Sequence, residues 1–422
     1  MQHILFVTPY YPPEKAAPAV RISETASRLV KLGYKVTVLT TVPNYPTGVV
    51  PPEYRGHAVQ QEVREGVRVV RVWSYVTANK GFLKRILSQL SFGCLSPILG
   101  WQAIGKPDVI IVESPPLFDA IAARLLSWLK QRPFIFLVSD LWPESAVQLG
   151  MLRNRFLIKV AEWLEWSTYQ KASFVWSVTA GIRTTLLKRG LPAEKVFLLT
   201  NGVDTEKFTP RSQAQARTEL GWDNTFVALY AGTHGLAHGL ATLLDTAELL
   251  HDKPDIQLVL VGDGAAKTDL VTQARQRNLT NVTFLETVTH DQMPTLLAAA
   301  DVCLVPLRKL PLFEGALPSK MYEIMACARP IILGVDGEAR RLVEQEAGSA
   351  LAVEPENAAA LAQAILALYT QPELARALGQ RGRAFVEARF SRDLLVAALD
   401  ERIAGLLGTK ARSAVELIPT HA

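Results

Sequence analysis

Short apolar runs of strand length alternate with longer segments in which apolar residues recur at helical spacing, a pattern that predicts repeated β-α units and parallel sheets. In the first half of the chain, strands are expected at 4–8, 35–40, 67–73, 108–112, 133–138, 174–178 and 196–199, and helices at 21–32, 118–130, 156–171 and 182–189. Residues 200–210, TNGVDTEKFTP, are rich in turn formers and separate two such arrays. A second set of strands follows at 226–231, 257–261, 282–285, 302–305, 331–333 and 350–353. Residues 391–407 again have a helical period. The division expected is a first domain over 1–200, a linker over 201–212, a second domain over 213–390, a C-terminal helix over 391–410 and a disordered tail over 411–422.

A chain of 422 residues with 49% hydrophobic residues supports two buried cores. Its three cysteines, Cys94, Cys303 and Cys327, show no C-x-x-C spacing, so neither a disulfide framework nor a zinc site is suggested. The N-terminal residues enter an apolar strand without the charged region and cleavage site of a secretory leader, so a cytoplasmic location is expected. The net charge of +5 is uneven: residues 1–200 hold 24 Lys/Arg against 13 Asp/Glu, net +11, and the remainder 21 against 27, net −6. A basic first half implies an anionic partner, a membrane surface or nucleic acid. No helix-turn-helix or RNA-binding aromatic motif accompanies the charge, which argues against nucleic acid.

The densest chemistry lies at 304–326, LVPLRKLPLFEGALPSKMYEIMA, a strand, a Gly/Pro loop and a helix. Ligands of open parallel sheets bind beyond the carboxyl ends of the strands, where a helix N-terminus presents free N–H groups to an anion. Gly315 permits close approach of a diphosphate, and Pro318 is tolerated in a first helical turn. Lys320 and Glu323, three residues apart, are placed to face one site, the ammonium suited to phosphate oxygens and the carboxylate to ribose hydroxyls. Two further glycine turns, YAGTHGLAHG at 230–239 and VGDG at 261–264, follow strands of the same domain and bring in Gly232, Thr233, His234, His238 and Gly262. Together they outline a nucleotide pocket, although glycine also serves such loops for steric reasons alone. No G-x-G-x-x-G follows the first strand, which disfavours a dinucleotide-dependent oxidoreductase.

In order along the chain, FVTPYYPPE at 6–14, PNYPTG at 43–48, DLWPE at 140–144, NGVD at 201–204, PSK at 318–320 and Glu323 resemble the retaining glycosyltransferases of family 4. The likeness is greatest to their L-fucosamine-transferase-like (WbuB-type) branch. The resemblance implies an α/β chain of the GT-B fold, two Rossmann-like domains facing across a cleft, with the C-terminal helix packing between them. It implies transfer of a hexose or N-acetylaminosugar from a nucleotide-diphosphate sugar, UDP-type, to a glycan or polyprenyl-diphosphate-linked acceptor in surface polysaccharide synthesis. The donor belongs to the second domain and the acceptor to the first, and no cofactor or metal is required. Front-face transfer then leaves the protein chiefly to stabilise charge on the departing diphosphate. The family's Arg and Lys for this purpose correspond to Thr233 and His238, so Arg308, Lys309 and Lys320 are the candidate replacements.

The family's paired glutamates map cleanly at Glu323. The first falls at Gly315, with Glu314 one position early as a contact to the donor sugar or a catalytic carboxylate; Ser319 joins the donor set beside Lys320. A first-domain histidine of many members is replaced by Asp140, which with Glu144 is a candidate to position the acceptor hydroxyl or donor sugar; both also suit a helix cap. Tyr10, Tyr11 and Glu14 are the acceptor candidates, with core packing as the competing role of the tyrosines, and Asn201 and Asp204 are expected to shape the linker turn. His234 and His238 are either donor contacts or structural. A sugar-nucleotide epimerase or hydrolase on the same scaffold, and a non-catalytic nucleotide-binding module, remain the alternatives.

Residues 86–105 carry no charge, but Ser88, Gln89, Ser91, Ser96, Gln102, Gly93 and Pro97 make them too polar and broken to span a bilayer. Lys80, Lys84 and Arg85 ahead of Ile86, Leu87, Leu90, Phe92 and Leu95 fit a segment lying in a membrane interface, with Trp163 and Trp166 as further anchors. Peripheral binding to an anionic inner leaflet is the expectation.

Overall fold

The computed structural model describes residues 1–413 apart from 15, 46, 78–81 and 149. The chain divides into two compact units, Met1–Asn201 with the segment from Arg392 onward, and Gly202–Ser391.

In the first unit, strands β1 (His3–Val7), β2 (Lys35–Thr41), β3 (Val59–Arg64), β4 (Val67–Val72), β5 (Val109–Ser114), β6 (Phe134–Val138), β7 (Phe174–Ser177) and β8 (Val196–Leu198) form one sheet in the order β3-β4-β2-β1-β5-β6-β7-β8. Every residue of β1, β5 and β6 is buried, which is why these strands read as unbroken apolar runs rather than alternations. Strand β3 is absent from the apolar pattern. It is antiparallel to β4 at the sheet edge, with Glu62 accepting a hydrogen bond from Arg71 at 2.8 Å, so its sequence VQQEVR has only one half-buried face to mark it. Helices α1 (Ala17–Lys31), α2 (Phe82–Leu99), α3 (Asp119–Lys130), α4 (Glu144–Gln148), α5 (Arg155–Lys171) and α6 (Ala180–Lys188) connect the strands.

The segment expected to lie in a membrane interface is α2. Phe92 is buried and Ile86, Leu90 and Leu95 are half-buried, whereas Leu87, like Leu83 and Ile98 of the same helix, is exposed, so α2 divides its apolar surface between its own unit and solvent. Lys80 lies outside the described residues. Among the described residues no helix is long and apolar enough to cross a membrane.

The second unit holds β9 (Phe226–Ala231), β10 (Ile256–Val261), β11 (Val282–Leu285), β12 (Val302–Pro306), β13 (Ile331–Gly334) and β14 (Ala350–Ala352), all parallel, in the order β11-β10-β9-β12-β13-β14. Alternate residues serve opposite faces. Val227 and Leu229 of β9 join one core cluster and Ala228 and Tyr230 the other, as the twofold period of a strand requires. Its helices are α7 (Gln213–Leu220), α8 (Ala241–Leu249), α9 (Lys267–Gln276), α10 (Met293–Ala299), α11 (Lys320–Ala326), α12 (Glu338–Arg340), α13 (Ala358–Thr370) and α14 (Pro372–Arg389).

The expected C-terminal helix is α15 (Arg392–Leu407), whose Leu399 and Ile403 are buried in the first unit's core. Arg392 reaches Glu24 at 3.0 Å, Arg28 reaches Asp393 at 2.8 Å, and Tyr34 donates to Asp400 at 2.5 Å, so three polar contacts fasten α15 to α1 and the turn after it. The tail expected to be disordered from 411 is pinned at its start, because Asp400 accepts the backbone N–H groups of Arg412 and Ser413. Its residues 414–422 lie outside the described residues.

In both sheets the chain runs outward from one strand and returns to that strand's other side. β1 and β5 in the first unit, and β9 and β12 in the second, therefore flank a topological switch point, whose crevice opens at the carboxyl ends of the strands. The loops after β9 and β12 carry the glycine turn and the PSK segment.

Candidate functional site

In the second unit the two glycine turns lock together through their backbones. Gly232 N–H donates to Val261 O at 2.9 Å and His234 N–H to Asp263 O at 2.8 Å, while Ala266 N–H returns to His234 O at 2.9 Å. Gly262 has φ +146°, and a Cβ there would stand 1.9 Å from Gly232 O. That glycine is required by its neighbouring loop, not by a ligand. Gly232 differs: a Cβ on it would stand 2.5 Å from Lys320 Nζ, so the missing side chain is what lets the ammonium into the crevice.

Lys320, the first residue of α11, places Nζ 4.0 Å from the centroid of Tyr230, with Nζ shielded from solvent and without a hydrogen-bond partner among the described residues. Tyr230 is itself fixed by donating to Thr233 O at 2.7 Å. Burial lowers the Lys320 pKa to about 8 against the opposing pull of Glu323 and the Cys303 thiol. His238 is driven down to about 4 by burial and by Lys320 and His234, and His234, also buried, is shifted down mainly by burial. Neither ring nitrogen of His234, nor Nδ1 of His238, has a hydrogen-bond partner among the described residues. The crevice thus combines one ammonium with two neutral imidazoles. A buried charge without a partner is costly, and an anion beside Lys320 Nζ removes that cost.

Glu323, one turn along α11, lies 3.5 Å from His290 Nε2. His290 Nδ1 stands 2.8 Å from Lys207 Nζ, which also reaches Asp291 at 2.6 Å. Because an ammonium can only donate, Nδ1 is the acceptor and the ring proton sits on Nε2, which stands near the carboxylate without a hydrogen bond to any described residue. The sequence reading missed His290, which stands 33 positions before Glu323 in a loop without a motif.

The other candidate cations are engaged elsewhere. Lys309 Nζ reaches Glu354 at 2.5 Å and its N–H donates to Glu356 at 2.7 Å, while Arg308 stands 3.7 Å from Glu356. Glu314 is exposed on the 3₁₀ turn Pro311–Gly315, and Ser319 occupies the N-cap position of α11 without a side-chain cap bond. Since α11 has only seven residues, the ammonium rather than a long helix dipole supplies the positive potential.

In the first unit, Tyr10 packs edge-on to Tyr45 with ring centroids 5.6 Å apart, and both line a recess with Asn44, Ser74, Arg85 and Gln89. Glu14 is buried and accepts the backbone N–H groups of Asn44 and Tyr45, each at 2.8 Å, so it shapes that recess by holding these two residues. Tyr11 is a core residue. Asp140 accepts from Ser145, with burial raising its pKa, whereas Glu144 is ion-paired with Arg189, which also reaches Glu165 at 3.4 Å. Asp204 accepts the N–H groups of Glu206 and Lys207 and so forms a turn, and Asn201 accepts from Arg21 at 2.8 Å. Among the described residues, no group of three or more His, Cys, Asp or Glu is disposed to hold a metal ion.

Residues 17–202 match the Glycosyl transferase 4-like domain, and residues 212–385 match the Glycosyl transferases group 1 family. The Escherichia coli (strain K12) protein WcaI, named for colanic acid biosynthesis glycosyl transfer, is 29% identical over 367 residues, covering 84% of this chain and 89% of its own. A GDP-mannose-dependent monoacylated alpha-(1-6)-phosphatidylinositol monomannoside mannosyltransferase of Corynebacterium glutamicum is 29% identical over 342 residues, 74% of this chain and 86% of that one. Among solved structures, sucrose-phosphate synthase from Thermosynechococcus elongatus superposes with a TM-score of 0.75 at 21% identity over 97% of this chain and 100% of its own. Anabaena HepE in complex with UDP and glucose gives 0.71 at 18%, covering 96% and 100%. The two doubly wound, largely parallel sheets are those of the GT-B fold. The chain belongs to glycosyltransferase family 4 and is an enzyme that uses a nucleotide sugar.

Proposed function

We propose that the enzyme is a retaining transferase of the L-fucosamine-transferase-like branch, moving a hexose or N-acetylaminosugar from a UDP-sugar to a glycan or polyprenyl-diphosphate-linked acceptor in surface polysaccharide synthesis. The observation that carries the donor reading is the solvent-shielded, unpartnered Lys320 ammonium at the switch point of the second sheet. A diphosphate is the anion such a cation at a strand-end crevice suits. Glu323, whose carboxylate lies 3.5 Å from His290 Nε2, accepts the ribose hydroxyls. Gly232, Thr233, His234, His238, Gly315 and Ser319 form the walls of the donor crevice, Gly262 lets the 230–239 turn pack against its own, and Glu314 meets the donor sugar. UDP in the complex of the similar HepE structure supports the choice of base, and WcaI, named for colanic acid biosynthesis, supports the pathway class.

In the reaction, the bond between the anomeric carbon and the leaving diphosphate oxygen breaks. The acceptor oxygen bonds to that carbon on the same face, and its proton passes to the diphosphate. Lys320 stabilises the charge that grows on the leaving group. Tyr10 and the loop held by Glu14 receive the acceptor, with Asp140 placed to orient its hydroxyl. The location proposed is the cytoplasmic face of the membrane, where a lipid-linked acceptor is presented.

A calorimetric screen of UDP-, GDP- and ADP-sugars, followed by proton NMR of the product formed on a lipid-linked saccharide, tests the reading. Stabilisation by UDP-sugars and an α-linked product from an α-linked donor are expected. A β-linked product would overturn retention, and a preference for GDP- or ADP-sugars would overturn the base.

A further inference from the structure

The outward face of α5 (Arg155–Lys171) carries a stripe of large apolar side chains. Phe156, Val160 and Trp163, at i, i+4 and i+7, occupy one stripe and are 73%, 46% and 63% exposed, with Leu157 beside them at 49%. The opposite stripe, Ala161, Glu165, Thr168 and Tyr169, is the buried one. Helix α3 extends the patch. Arg124 donates to Ser167 of α5 at 2.8 Å and lies 5.5 Å from the Trp163 ring, and one turn further Trp128 is 68% exposed.

Cations border this surface. Arg153, Arg155 and Lys159 are exposed beside the stripe, and Arg124 lies within it, whereas Glu162 is the acid at its far margin. Aromatic rings with adjacent Lys and Arg are the composition of a surface that enters the headgroup layer of a bilayer. A second copy of this chain meeting through the same face would set like charges against each other, whereas anionic lipid neutralises them.

We infer that the α3–α5 face of the first unit docks on an anionic lipid bilayer, with Phe156, Val160, Trp163 and Trp128 entering the headgroup–acyl boundary and Arg153, Arg155 and Lys159 on lipid phosphates. This deepens the membrane location proposed above, moving the contact from α2, and does not depend on the reaction catalysed.

The test is co-sedimentation of the full chain with vesicles of phosphatidylcholine alone or mixed with phosphatidylglycerol, neither containing an acceptor. Wild type binds the mixed vesicles and is left in solution by phosphatidylcholine alone. F156S/W163S and, separately, R153E/R155E/K159E lower partitioning by roughly tenfold or more, with unfolding midpoints and UDP affinity unchanged because every altered side chain is exposed and in the other unit from the donor crevice. Failure of wild type to bind mixed vesicles, or wild-type binding by either variant, overturns the assignment. A wild-type dimer in sedimentation equilibrium that F156S/W163S converts to monomer overturns it in favour of self-association. Because no substrate is present, loss of vesicle binding leaves the donor reading standing, and loss of transferase activity leaves this one standing.

Discussion

Lys320 is the residue on which charge and the proposed function meet. Its folded pKa, about 8, lies below the value of about 10.4 for an unfolded lysine, so below pH ~8 it is charged in both states and the folded state bears the cost of burial. Between those values the unfolded chain binds more protons, so stability rises with pH, by on the order of 3 kcal/mol over the window. Lys320→Met is expected to be more stable than wild type at pH 7 in urea unfolding, with the difference shrinking toward pH 10. An anionic ligand reverses the sign. UDP binds the charged form, so wild-type affinity measured by calorimetry falls as pH rises through about 8, while the Met variant binds weakly and without that slope. A flat wild-type profile would separate Lys320 from the diphosphate. His290→Ala frees the Glu323 carboxylate, and KM for the donor is expected to rise roughly three- to tenfold with kcat nearly unchanged, consistent with lost ground-state binding. Adding Glu323→Ala to it produces little further loss if the two act as a unit; additive effects would dissociate them. Lys320 and Glu323 were legible because one helical turn joins them. His290 was not, since its place beside Glu323 depends on a return of the chain from another loop, and neither was the capture of Lys309 by Glu354, 45 positions away.

At the level of elements, the buried strands of both sheets were legible because burial on both faces leaves them unbroken apolar runs. The edge strand β3 and the packing of α2 were not, since one depends on a neighbour for half its hydrogen bonds and the other on which of its faces meets the sheet. The glycine turns show the same limit. Their spacing marks a crevice, but only the fold separates Gly232, which admits Lys320, from Gly262, which admits the carbonyl of Gly232. Gly262→Ala therefore forces the two turns apart and places a side chain at φ +146°, and a loss of about 2–4 kcal/mol is expected from urea denaturation. Hydrogen exchange should localise the damage to the 230–239 and 261–266 turns and weaken UDP binding through displacement of Gly232. An unfolding midpoint equal to wild type would mean that the turns yield freely and do not preorganise the crevice.

At the scale of the whole molecule, charge is divided by unit. With α15 and the tail assigned to it, the first unit holds 28 Lys/Arg against 17 Asp/Glu, net +11, and the second holds 17 against 23, net −6. The unit proposed to bind a diphosphate is thus acidic overall, and its attraction for the donor has to be local, exerted by a shielded ammonium across a few ångströms. The first unit's attraction for a membrane is instead collective, exerted by exposed cations through solvent. Salt distinguishes the two, because exposed charges are screened beyond a Debye length of about 10 Å at 0.1 M and about 3 Å at 1 M, while contact with a buried cation is screened far less. Raising NaCl from about 0.05 to about 0.5 M is expected to cut partitioning into phosphatidylglycerol vesicles by roughly tenfold or more while UDP affinity changes by less than about threefold. Any change in UDP affinity should be toward tighter binding, since screening weakens the repulsion between the second unit's excess carboxylates and the nucleotide. A steep salt-dependent loss of UDP affinity would place the phosphate cations on the exposed surface, on Arg308 and Lys309, instead of at Lys320.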